Sequence, residues 1–122
     1  MNEKRADHAC LVDEETNTIH VIGGMGDGNR LKSTEKWKFG TDSWISGAYL
    51  PEAVASSAAV NSNSAEYIGY LVSGNTDNGP TSKIYHLRRK DMSWIEYGSK
   101  NVNLPRYLHT VVKIPGDQIP GC

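Results

Sequence analysis

Thr18-Ile19-His20-Val21-Ile22-Gly23-Gly24 is a short run rich in β-branched residues that stops at two glycines. Thr18, Ile19, Val21 and Ile22 favour a pleated, largely buried strand. The glycine pair ends it where the backbone must turn sharply or lie close against another backbone, because glycine carries no Cβ to clash. The same arrangement returns about 50 residues later as Tyr67-Ile68-Gly69-Tyr70-Leu71-Val72-Ser73-Gly74. Self-similarity at a period of roughly 20–50 residues is the mark of repeat architectures.

Working outward, His8-Ala9-Cys10-Leu11-Val12 reads as a strand before it, joined by a polar turn at 13–17. After it, Met25-Gly26-Asp27-Gly28-Asn29-Arg30 reads as a loop, since Gly and Asn dominate. A third strand is expected at 34–39, then a Gly40-Thr41-Asp42 turn and a short fourth strand at Ser43-Trp44-Ile45. Beyond Leu50-Pro51 the pattern restarts. Residues 54–60 match the first strand, 67–72 the second, 75–81 the loop, 83–87 the third strand and Ser93-Trp94-Ile95 the fourth. The four alanines within 53–60 invite a helical reading, but their place in the repeat argues for a strand. Leu104-Pro105 closes the second unit, and Arg106-Tyr107-Leu108-His109 echoes Arg5-Ala6-Asp7-His8. Four short strands per unit, spaced by about 8–12 residues, predict an all-β chain.

The totals agree. The 122 residues suffice for roughly one domain, and twelve glycines with five prolines supply many turns. A net charge of -1 and a pI near 6.4 carry no electrostatic footprint for nucleic acid or an anionic membrane. The start of the chain is charged without an apolar h-region, and no apolar run approaches membrane-spanning length. A cytoplasmic chain is the default expectation, and a fragment of a longer, even secreted, protein would read alike. Two cysteines make neither a disulfide framework nor a zinc site. Cys10 is expected to act as a small buried apolar residue and Cys122 as a free terminal thiol, with a disulfide between the two as the alternative.

A strand ending in Gly-Gly, a strand bearing a large aromatic (Trp37, Tyr85), a tryptophan (Trp44, Trp94), Leu-Pro and Arg-x-x-His occur in that order. The series resembles the kelch repeat over roughly residues 5–114. The resemblance implies a kelch-type β-propeller fragment: two four-stranded antiparallel blades plus one strand of a third. The units are expected at 5–50, 51–104 and, incomplete, 105–114. The second copy departs from the pattern, with Ser73-Gly74 in place of the glycine pair and no Arg-x-x-His at 54–57. In such blades Trp44 and Trp94 would fill the wedge between neighbours. Propellers typically hold about 4–8 blades, so two leave faces uncovered. Self-association, or the remaining blades of a longer chain, is expected to cover them.

Little in the sequence suggests catalysis. Gly23-Gly24-Met25-Gly26-Asp27-Gly28 lacks the following helix that a dinucleotide loop requires, because residues 33–37 alternate like a strand. The four histidines sit at no familiar ligand spacing. Asp7, His8 and Cys10 read as strand residues rather than as a nucleophile and its base, and Leu87-Arg88-Arg89-Lys90 as a solvated turn. No catalytic residue, metal or cofactor is assigned, and the chain is not expected to be an enzyme. The alternatives are a kelch-like enzyme of the copper-oxidase or sugar-acid-isomerase type, or a truncated non-functional product.

The resemblance instead implies a protein-binding module. Ligands of kelch-type propellers generally bind loops between the second and third strands and loops linking blades. Here those are residues 25–32, 75–81, 47–53 and 98–106. Arg30, Asn75, Asp77, Asn78 and Arg106 are the binding residues expected from them. The partner is expected to be a protein, as for kelch chains in ubiquitin-ligase adaptors or bound to actin.

Overall fold

The computed structural model describes residues 1–62 and 64–97. The expected strand at 105–114, the loop at 98–106 with Arg106, and Cys122 lie outside the described residues. The described chain is all-β, with no helix. The first half holds β1 (Ala9–Asp13), β2 (Thr18–Ile22), β3 (Met25–Gly26), β4 (Asn29–Arg30), β5 (Thr34–Lys38) and β6 (Ile45–Ser46). The second holds β7 (Val54–Ala55), β8 (Ala58–Asn61), β9 (Tyr67–Thr76), β10 (Gly79–Arg88) and β11 (Ser93–Tyr97).

Each half builds one antiparallel meander. The first sheet runs β1-β2-β5-β6, and the second runs β11-β10-β9-β7, with β8 also on β9. Their registers correspond. Ile22 pairs with Ala9 and Thr34, and Val72 pairs with Ala58 and Ile84. Ile45 pairs with Lys36 and Ile95 with His86, so Trp44 and Trp94 each stand one residue before an equivalent position. The correspondence extends to an irregularity. Ser56, at φ 58°, separates β7 from β8 on the same edge of β9. Asp7, at φ 53°, separates the Ala6–Met25 bridge from β1 in the same way.

The pleat sends alternate residues to opposite faces. Ala9, Leu11 and Ile22 of the first sheet face the second and form its core with Val54, Ala59, Leu71, Tyr85 and Leu50. The close contact is made at β1 and β8. A Cβ on Gly69 would lie 2.5 Å from Leu11 Cδ2 and 2.6 Å from the Val60 carbonyl oxygen. The Val12 N–H donates to Asn61 Oδ1 at 3.1 Å across the same junction. Trp94 packs half-buried against this core, where bulk between the sheets was expected.

The glycine pair does what its sequence predicts. Gly23 and Gly24 take φ of +63° and +100°, and a Cβ on either would lie 2.5 Å from a backbone oxygen, of Val54 and Ala6 respectively. The Gly24 N–H donates to the Val54 carbonyl at 2.8 Å, tying the corner to the second sheet. The fully buried Arg5 side chain locks the corner: Nη1 donates to the Gly23 and Ser33 carbonyls, and Nη2 pairs with Glu35 at 3.2 Å.

Three expectations are corrected. Residues 25–32 and 75–81 are not open loops but carry the β3–β4 hairpin and the tip of the β9–β10 hairpin. Tyr85 pairs with Leu71, whereas Trp37 pairs with Ile19, so these aromatics stand two register positions apart. Trp44 keeps the register position of Trp94: it is half-buried beside Trp37, ring centroids 6.3 Å apart, on the face of the first sheet turned away from the second. Cys10 is half-buried and is not a free thiol.

Candidate functional site

The two hairpin tips form the first candidate surface. In β3–β4 the turn residues Asp27 and Gly28 take φ of 51° and 81°. That is the mirror-image turn whose twist suits a two-residue hairpin. At the β9–β10 tip, Asp77 and Asn78 turn the chain and Gly79 takes φ 104°. Thr76 Oγ1 accepts from the Asn78 N–H at 3.1 Å and donates to the Gly79 carbonyl at 2.8 Å. The tip is therefore held by its own side chain as well as by the pairing of Val54 and Ala55 with Thr76 and Asn75.

The sheets bring these tips together. Arg30 Nη1 and Asp77 Oδ1 are 3.3 Å apart, an ion pair between equivalent hairpins. Asn75 and Asn78 are exposed on the same β9–β10 tip, and Asp27 and Asn29 on the other. Four of the five expected binding residues thus sit on adjoining hairpins, and Arg106 falls outside the described residues. Asp77 is paired with Arg30, and Asp27 and Lys32 add one exposed charge of each sign.

At the opposite end of the sheets the interface opens. Moving along the first sheet, the row Ala9–Ile22–Thr34 gives way to Leu11–His20–Lys36–Ile45 and then to Asp13–Thr18–Lys38. The change from apolar to polar residues along one face leaves a cleft of about 540 Å³ between the sheets. One wall is Thr18 and His20 of β2 with Lys36 and Lys38 of β5. The other is Ile68, Arg89 and Met92 of the second sheet and its β10–β11 turn.

Arg89 clamps this end. Its Nη1 lies 2.9 Å from Asp13 Oδ2 and 3.4 Å from Glu15 Oε2. Burial alone would raise the Asp13 pKa, but hydrogen bonds from Thr16 and Arg89 outweigh it and hold the carboxyl below its ordinary value. His20 is 5 % exposed, and burial, seconded by the Lys36 charge, lowers its pKa to about 4. It is a neutral imidazole near pH 7, and its buried Nε2 has no hydrogen-bond partner among the described residues. Lys36 and Lys38 belong to no ion pair among the described residues, because the nearby carboxylates are taken by Arg89.

Sequence reasoning placed the hairpin residues and missed the cleft. Its signal was the register: His20 stands opposite Lys36, and Thr18 opposite Lys38, on one face. A strand's partners are not written in its own residues, so that row becomes visible only with the pairing. Among the described residues, no group of three or more His, Cys, Asp or Glu is placed to hold a metal ion. None holds a helix long and apolar enough to cross a membrane. Compared with protein-family models and with curated proteins, the chain matches none.

Proposed function

We propose that this chain is a protein-binding module, two blades of a kelch-type β-propeller that recognise a partner protein through the hairpin tips. The observation that carries the reading is the Arg30–Asp77 contact between register-equivalent hairpins. It joins two short, exposed turns into one continuous surface, whereas each alone offers only a few side chains. Exposed turns on a rigid sheet scaffold are where binding residues concentrate.

The propeller reading rests on the repeated register of the two meanders and on the way one face of the first packs on the second. A propeller extends that packing to further units, supplied by the same or another polypeptide. The test is quantitative affinity capture with the chain and with its Arg30→Ala/Asn75→Ala/Asp77→Ala/Asn78→Ala variant. The variant is expected to stay folded with its thermal midpoint lowered by about ten degrees or less, since Asn75, Asp77 and Asn78 are exposed and Arg30 is half-buried. It is expected to lose the captured protein. A partner retained at full yield by the folded variant overturns the reading.

A further inference from the structure

We propose that the cleft between the two sheets is a binding site for a small organic anion with an apolar body, an aryl or branched alkyl carboxylate. Three observations converge on it. The cleft has a volume of about 540 Å³, within the roughly 300–1,000 Å³ range of small-molecule sites. Its apolar surfaces come from Ile45, Ile68 and Met92. Two of its three cations, Lys36 and Lys38, project from one face of β5 and are in no ion pair among the described residues.

Asp13 and Glu15 also line the cleft, and both are bound by Arg89. One guanidinium against two carboxylates leaves one negative charge, so with the two lysines the cleft keeps a net positive charge. The head group is held by Lys36 and Lys38, and the body lies against Ile68 and Met92. A neutral or cationic ligand of the same shape forgoes the charge-assisted bonds.

The hairpin tips play no part in this site, so it stands independently of the partner-binding reading. The probe is 2-naphthoate, titrated into the isotopically labelled chain and followed by amide NMR shifts, with 2-naphthamide as the neutral isostere. Saturable shifts are expected at residues 16–20, 36–43 and 89–92, with the amide binding about tenfold more weakly. Lys36→Gln/Lys38→Gln is expected to weaken naphthoate about tenfold while the amide is unaffected. Met92→Trp, which fills the cleft, is expected to abolish both. Equal binding of naphthoate and naphthamide, shifts confined to residues 25–30 and 75–80, or no saturable shift at millimolar concentration each overturns the proposal. If the lysine variant fails to fold, as its spectrum would show, the naphthoate–naphthamide comparison on the parent chain decides.

Discussion

Gly69 and the Gly23–Gly24 pair show two different uses of a missing side chain. Gly23 and Gly24 take left-handed φ values and lie against backbone oxygens, so both conformation and space exclude another residue. Gly69 sits mid-strand without a left-handed φ, and only the Leu11 side chain and the Val60 oxygen forbid a Cβ there. Gly69→Ala is expected to destabilise the chain by about 1–3 kcal/mol, the usual cost of overpacking, read from the urea midpoint at unchanged m-value. An unchanged midpoint would mean that the sheets do not meet at Leu11. The glycine pair was legible because it closes a β-branched run. The role of Gly69 was not, because Leu11 lies far from it in sequence. Arg5 was legible as part of Arg-x-x-His, whereas its partner Glu35 sat unremarked on an alternating strand.

At the scale of the element, strands were easier to read than their ends. β2 matches its expected bounds, Thr18–Ile22, because apolar β-branched residues and a glycine stop define it. The hairpins inside the expected loops were hidden, since glycine-rich turns read alike whether or not two residues on each side pair. The same strand, β2, carries the pH prediction. The folded His20 holds its pKa near 4, below the roughly 6.5 of an unfolded chain. As pH falls the unfolded state takes up the proton first, so stability is full above about pH 6.5 and is lost progressively towards pH 4. The loss is on the order of 3 kcal/mol. His20→Gln is expected to flatten denaturation midpoints across that window. A residual slope of the same sign remains from His86, also held low by burial. Below it, protonation of Asp13 and Glu35, both held under their ordinary values, weakens the fold further in parent and variant alike. An equal slope in both proteins between pH 6.5 and 4 would show that His20 is charged in the folded chain.

At the scale of the molecule, two sheets share one junction. The repeat was legible because Ser-Trp-Ile recurs at matching positions; which face each tryptophan occupies was not, because that follows from sheet-on-sheet packing. Phe39, Ile45, Tyr49 and Tyr97 are 52 %, 56 %, 63 % and 37 % exposed, and apolar surface of this kind invites association. Light scattering coupled to size exclusion is expected to give a mass that rises with concentration above the 13.4 kDa of one chain. Ile45→Lys with Tyr97→Lys is expected to lower it. A single 13.4 kDa species at every concentration would remove the need for further units.

The tryptophans also make the chain its own optical gauge. Trp37 and Trp44 are 6.3 Å apart and tilted by 33°, near enough for their transition dipoles to couple and split the ultraviolet dichroism band. Trp94 packs against the apolar junction, where a drier setting shifts indole emission to the blue. Dichroism therefore reports on the integrity of the first sheet, and emission colour on whether the second still lies against it.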